Sequence, residues 1–66
     1  MYRLELVEKD VDFGEYIRDL ARISEPIKDL SNLGERIESY LEDFEEELKS
    51  EEYYIKVQWY EIEKGN

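Results

Sequence analysis

The chain has 66 residues and a formal net charge of −10, with 19 acidic residues against nine Lys and Arg. It contains neither cysteine nor histidine, which excludes disulfides, thiol nucleophiles, the usual zinc and copper ligands and the common nucleophilic triads. We expect one small domain, residues 1–66, with no catalytic residues, no bound cofactor and no metal. A domain of this size has a thin stability margin, which association with another chain would improve.

The N-terminal segment alternates apolar and polar side chains. Tyr2, Leu4 and Leu6 recur at every second position, which predicts a half-buried strand over residues 2–7. The same segment has no long apolar core of the kind found in signal peptides. We therefore expect a cytoplasmic protein, located in the host cell if the chain is viral.

The next segment has helical spacing. Asp12 is a favourable N-cap, and Glu15 stands three residues later, as in a capping box. The apolar residues that follow recur at helical intervals, which predicts a helix over residues 12–24. Its predicted core positions are Phe13, Tyr16, Ile17, Leu20 and Ile23.

A second helical region follows a break at Pro26, because proline removes a backbone donor and disfavours helix at the residue before it. Pro26 suits the first turn of a short helical segment that ends before Asn32. Asn32 is a favourable N-cap for a longer helix that runs to about residue 49. The apolar stripe of this helix consists of Leu33, Ile37, Tyr40, Leu41, Phe44 and Leu48.

The charge of this second helix is the most uneven feature of the sequence. Nine carboxylates lie between Glu35 and Glu52, against two cations, Arg36 and Lys49. On a helical projection most of them fall opposite the apolar stripe. We expect a partner to bind this surface through Glu35, Glu38, Glu42, Asp43, Glu45 and Glu46. A solvated face that keeps a small protein soluble explains the same residues and stays open as an alternative.

The C-terminal segment, residues 53–63, is the strongest predicted strand because it is rich in aromatic and β-branched residues. Alternation along the strand places Tyr53, Ile55, Val57 and Trp59 on one face, and we expect Trp59 to belong to the core. The opposite face is unusually apolar for a surface exposed to water. We expect Tyr54, Tyr60 and Ile62 on that face to form an interface.

Taken in chain order, the elements predict an α+β fold of the type β-α-α-β, in which a helical hairpin packs on a two-stranded antiparallel sheet. A two-stranded sheet is marginal by itself, and both of its strands would present unpaired backbone groups. We therefore expect the sheet to extend by dimerisation, with the two copies pairing around residues 53–62.

In size, acidity and lack of catalytic residues the chain resembles, in physical type alone, the DNA-mimic and anti-CRISPR inhibitors of viruses and mobile elements. The resemblance implies an interaction protein, not an enzyme, that blocks a basic nucleic-acid-binding surface of a host or defence protein. Two other hypotheses stay open: an antitoxin-like or regulatory partner that docks by strand addition, and a structural subunit of a homo-oligomer. The net charge opposes direct binding to nucleic acid or to a membrane.

Overall fold

The computed structural model describes residues 1–61, which form one sheet and one helical layer. The elements are β1 (Tyr2–Asp12), β2 (Ile17–Ile27), a 3-10 turn (Leu30–Asn32), α1 (Leu33–Asp43), α2 (Glu45–Lys49) and β3 (Tyr53–Trp59). The strands form an antiparallel sheet in the order β2-β1-β3. The Cα atoms fill a slab of 36 × 32 × 12 Å, whose thickness fits one sheet covered by one helical layer.

The predicted β-α-α-β fold is wrong, because residues 17–24, predicted as the second half of a helix, lie in strand β2. Asp12 is the last residue of β1 and not an N-cap, since the next element is strand β2 and not a helix. Its Oδ1 accepts a hydrogen bond from the Gly14 N–H at 2.7 Å. That bond, and the positive φ of Gly14 (87°), turn the chain back into a hairpin. The sheet thus has three strands in place of two, and the helices form one broken segment instead of a hairpin.

Two register shifts in the β1–β2 hairpin explain why β2 has helical spacing in the sequence. Leu6 faces Ile23 across the hairpin. Glu8 faces Leu20, so β2 contains one extra residue between these two pairs. Leu20 and Ile23 therefore lie on the same side of the sheet although they are three residues apart, which a regular strand does not allow. A second shift lies between Glu8 and Val11, where β1 has the extra residue.

Strand β3 pairs with β1 from Trp59, opposite Tyr2, to Tyr53, opposite Glu8, without a register shift. The expected antiparallel contact between the first and last strands is present, but β1 is the central strand and not an edge. Trp59, predicted for the core, is 57% exposed at the edge of the sheet. Its ring packs edge-on against Tyr2, with the centroids 4.9 Å apart.

Beyond the part covered by β3, the β1–β2 hairpin continues as a two-stranded arm. Its tip carries Phe13 and Tyr16, whose stacked rings have centroids 5.6 Å apart. The Arg18 guanidinium lies 4.9 Å from the Phe13 ring centroid. Both aromatic residues and Ile17 are exposed, so the prediction that they belong to the core is wrong.

The core lies between the helical layer and one face of the sheet. Its centre consists of Leu4, which is fully buried, together with Leu6 and Tyr40. Partly buried residues around this centre are Ile23, Ile27, Leu33, Ile37, Phe44, Leu48, Tyr53 and Ile55. The predicted apolar stripe of the second helix is confirmed except for Leu41, which is 50% exposed.

The segment between β2 and α1 is less helical than predicted. Pro26 lies within β2, opposite Arg3, and the helical segment expected after it is limited to the 3-10 turn Leu30–Asn32. The Asp29 side chain caps this turn by accepting a backbone N–H at 2.9 Å. Asn32 immediately precedes α1, as predicted, but its side chain makes no capping hydrogen bond.

Candidate protein interaction surface

The candidate site is the outer surface of the helical layer. Packing of Tyr40 against Leu4 and Leu6 fixes the rotation of α1 about its axis. Glu38 and Glu42, two positions before and after Tyr40, therefore face water. All six carboxylates predicted to bind a partner are exposed on this layer, and we call them the acidic face: Glu35, Glu38, Glu42, Asp43, Glu45 and Glu46.

The acidic face follows a bent helical segment. Phe44 has φ −120° and ψ 32°, which leaves helical geometry and separates α1 from α2. The hydrogen bonds continue across this residue, because its N–H donates to the Tyr40 carbonyl and its carbonyl accepts the Leu48 N–H, each at 2.9 Å. Glu45 and Glu46 thus begin a second short helix that stays attached to the first.

Cations neutralise little of the acidic face. Lys49 Nζ lies 2.7 Å from Glu45 Oε1. Arg36, the other cation of this region, instead pairs with Glu25 of β2 at 3.0 Å. Within the part of the chain that the structure describes, no other Lys or Arg nitrogen lies within 4.0 Å of these carboxylates. The acidic face therefore keeps most of its negative charge.

A shallow open depression on the acidic face is lined by Glu35, Glu38, Ser39, Leu41 and Glu42. Leu41, half exposed, provides an apolar contact beside the carboxylates. The side chains point outward from a helix and do not converge, and residues 1–61 contain no group of three or more metal-ligating side chains placed to hold an ion. Carboxylates beside one exposed leucine fit contact with a protein surface better than chelation of an ion.

The predicted interface residues lie away from the acidic face. Tyr54 and Tyr60 project from the sheet face opposite the helices, while Ile62 lies outside the described residues. The Tyr54 hydroxyl donates to Asp19 Oδ2 at 2.7 Å. The Tyr60 hydroxyl donates to Glu5 Oε2 at 2.9 Å. Both hydroxyls therefore bond within the sheet, and the part these residues take in an interface stays a prediction.

Glu5, on the same sheet face, is 4% exposed and fully hydrogen-bonded. Ser24 Oγ donates to Glu5 Oε2 at 2.8 Å and accepts from Arg3 Nε at 2.6 Å. Because a carboxylate acceptor stabilises the neutral phenol, the bond to Glu5 raises the pKa of Tyr60. These bonds satisfy a buried charge, which gives Glu5 a structural role.

Sequence reasoning missed the turn of the hairpin and, with it, the third strand. The signal for the turn was present, because Asp12 stands two residues before Gly14, and aspartate commonly accepts a backbone N–H two residues on. Asp12 also fits a second pattern, because Glu15 stands three residues later as in a capping box, and that pattern favoured a helix.

No family model, curated protein or solved structure matches the chain. Within residues 1–61, no helix combines the length and apolar character needed to cross a bilayer.

Proposed function

We propose that the chain is an acidic interaction protein that blocks a basic, nucleic-acid-binding surface of a host or defence protein in the cytoplasm. The acidic face supports this most, because six exposed carboxylates have one cationic neighbour within the described residues. A localised charge of one sign attracts an oppositely charged surface and guides its approach. The chain acts by occupancy and carries out no reaction.

The helical layer presents its charge in a fixed arrangement. Residues three and four apart on a helix have Cβ atoms about 5–6 Å apart, so Glu35, Glu38 and Glu42 form a row of regularly spaced anions. Arg and Lys side chains that bind phosphate oxygens also bind carboxylate oxygens, since both groups accept charge-assisted hydrogen bonds. A basic groove occupied by this row cannot hold a nucleic acid strand at the same time.

The distribution of ion pairs favours binding over simple solubility. On the sheet, Glu8 pairs with Arg22 at 2.7 Å, so acid and base alternate there. On α1, Glu38 and Glu42 are like charges four residues apart, an arrangement that costs about 0.2–0.5 kcal/mol. A face that only keeps the protein soluble needs charge but can alternate acid and base. A face that imitates a row of phosphates needs adjacent like charges and therefore carries this repulsion.

The test compares two variants that each remove four negative charges. One replaces Glu38, Glu42, Glu45 and Glu46 of the acidic face with glutamine. The matched control replaces Glu15, Glu51, Glu52 and Glu61, which are equally exposed but lie outside the helices. Each protein is immobilised and exposed to lysate of the native host, and captured proteins are then challenged with a short duplex DNA.

We expect the parent and the control to retain a nucleic-acid-binding protein that duplex DNA displaces, and we expect the acidic-face variant to lose it. Capture should also weaken steeply with rising salt, because exposed charges are screened. Equal capture by the acidic-face variant would show that the acidic face serves solubility alone. Capture that duplex DNA does not displace would show that the bound surface is not a nucleic-acid-binding one.

A further inference from the structure

Within the described residues, the outer edge of β3 is a regular strand edge whose one protecting feature is a lysine. β3 uses one side to pair with β1, and no other strand of the described residues pairs with its second side. Its seven residues, Tyr53–Trp59, contain no proline and no register shift, and Lys56 is their one charge. Proteins usually protect such an edge with bulges, prolines or charges, because unpaired backbone groups bind other strands.

The opposite edge of the same sheet, strand β2, has these protections. Pro26 lies on it, two register shifts interrupt its pairing with β1, and Arg18, Asp19 and Arg22 add charge. The two edges of one small sheet therefore differ in kind. β2 is protected against pairing, whereas β3 is open to it.

The hydrogen bonds at the two ends of the β1–β3 pair identify which backbone groups of β3 are free. The Tyr60 N–H donates to the Met1 carbonyl at 2.7 Å, and the Lys9 N–H donates to the Glu52 carbonyl at 2.7 Å. Antiparallel pairing alternates, so the even-numbered residues of β3 bond to β1. The outward N–H and C=O groups are those of Tyr53, Ile55, Val57 and Trp59.

We propose that two copies of the chain pair through these free edges, antiparallel, with Val57 on the two-fold axis. In this register Val57 meets its own copy and the partly buried Ile55 meets Trp59, so the exposed Val57 and Trp59 side chains become covered. Val57 and Trp59 are 40% and 57% exposed in the single chain. Lys56 faces Gln58 of the other copy in this register, whereas a register centred on Lys56 would bring two like charges together.

Charge and size favour a second copy as the occupant. The chain has a net charge of −10, yet residues 53–59 carry a single positive charge, so this edge opposes self-association least. A small domain without disulfides also gains most from burying surface against another copy. The pairing would join two three-stranded sheets into one continuous sheet.

The symmetry of this pairing places both helical layers on the same side. Antiparallel neighbours within a sheet are related by a two-fold axis perpendicular to the sheet, so both acidic faces point in one direction. The dimer would thus present a wider anionic surface than one chain does. The pairing itself does not depend on the proposed function, and either can fail without the other.

Light scattering and cysteine crosslinking test the pairing and its register. We expect the parent at high micromolar concentration to have twice the chain mass of 8.1 kDa. Val57→Cys should form an intermolecular disulfide on mild oxidation, because hydrogen-bonded pairs have Cα atoms about 5.5 Å apart, within disulfide reach. Lys56→Cys should not, because residue 56 faces Gln58 of the other copy and lies two positions along the strand from its own counterpart. The native chain has no cysteine to confuse the result.

A substitution at the axis then tests whether the edge is responsible. Val57→Lys should remain folded by circular dichroism and be monomeric by light scattering, while Val57→Thr should remain dimeric. A monomeric parent, a dimer that Val57→Lys leaves intact, or crosslinking through Lys56→Cys in place of Val57→Cys would overturn the proposal. A monomer that binds a strand of another protein at this edge would assign β3 to a different partner and would equally overturn it.

Discussion

The Tyr54 hydroxyl donates to Asp19 Oδ2 at 2.7 Å, and this bond joins the two edge strands of the sheet across the central strand. The second oxygen of Asp19 accepts the Asp10 N–H at 3.1 Å. Asp10 has a positive φ of 55° and lies in the register shift of β1. One carboxylate therefore stabilises both the irregular part of the hairpin and its alignment with β3.

The first prediction concerns the pKa of this carboxyl group. The hydrogen bond from Tyr54, followed by that from the Asp10 N–H, lowers the pKa of Asp19. A lowered pKa stabilises the fold above the ordinary aspartate pKa, and that contribution is lost as pH falls through the lowered value. Tyr54→Phe should therefore raise the pKa of Asp19, as measured by carboxyl ¹³C NMR titration. The stability difference between parent and variant should shrink on acidification, and Tyr16→Phe at the hairpin tip should change neither quantity.

The second prediction concerns alkaline pH. Burial, together with the nearby Glu25 carboxylate, raises the pKa of Tyr40 to about 12. An unfolded tyrosine ionises near pH 10, so the stability from the neutral phenol is complete below about pH 10 and is lost as pH rises towards 12. Denaturant titrations between these values should show falling stability, and absorbance at alkaline pH should show a phenol that ionises after the other tyrosines and that Tyr40→Phe removes. Constant stability across this range would contradict the assignment.

The third prediction separates buried from exposed leucine. Leu4 is fully buried between the sheet and the helical layer, so Leu4→Ala should cost about 2–5 kcal/mol, close to the whole stability of a small domain. Leu41→Ala, at a half-exposed position of α1, should cost under about 1 kcal/mol. Urea unfolding followed by circular dichroism measures both. Similar losses in the two variants would mean that the core is not centred on β1.

The fourth prediction compares two glycines with different backbone conformations. A Cβ added at Gly14 or at Gly34 would have no heavy atom within 4 Å, so neither substitution creates a clash. Gly14 has φ 87°, and Gly14→Ala should destabilise by about 1–2 kcal/mol. Gly34 lies in α1, and Gly34→Ala should stabilise by about 0.5–1 kcal/mol. The melting temperatures of the two variants should shift in opposite directions, and a shift of the same sign in both would contradict the positive φ of Gly14 in the hairpin turn.

The elements that sequence periodicity predicted well are those with regular geometry. α1 follows the stripe of Leu33, Ile37 and Tyr40, and β3 follows its β-branched and aromatic residues. β2 was predicted as a helix because a bulge places Leu20 and Ile23 on one side of the sheet at a spacing of three. The pattern expected of a strand assumes that successive residues alternate between the two faces of the sheet. A bulge breaks this alternation, so the spacing of apolar residues cannot distinguish a bulged strand from a helix.

For the candidate site, the sequence was enough to locate the charge but not its surroundings. The exposure of the acidic face follows from the burial of Tyr40, which the apolar stripe already implied. The pairing of Arg36 with Glu25 depends on β2 lying beside α1, which the predicted fold did not contain. The free edge of β3 likewise depends on which strand is central, a property of the whole sheet.

The central position of β1 has a consequence for the order of folding. Its hairpin with β2 closes locally, but its other side is completed by residues 53–59, nearly the whole chain length away. Forming contacts between segments so far apart in sequence is slow relative to forming a hairpin or a helix, so we expect the pairing of β3 with β1 to be the rate-limiting step of folding. Before β3 pairs, β1 is itself an edge strand that carries Leu4 and Leu6. Pairing with β3 covers this edge of β1 and leaves β3 as the new edge strand of the sheet.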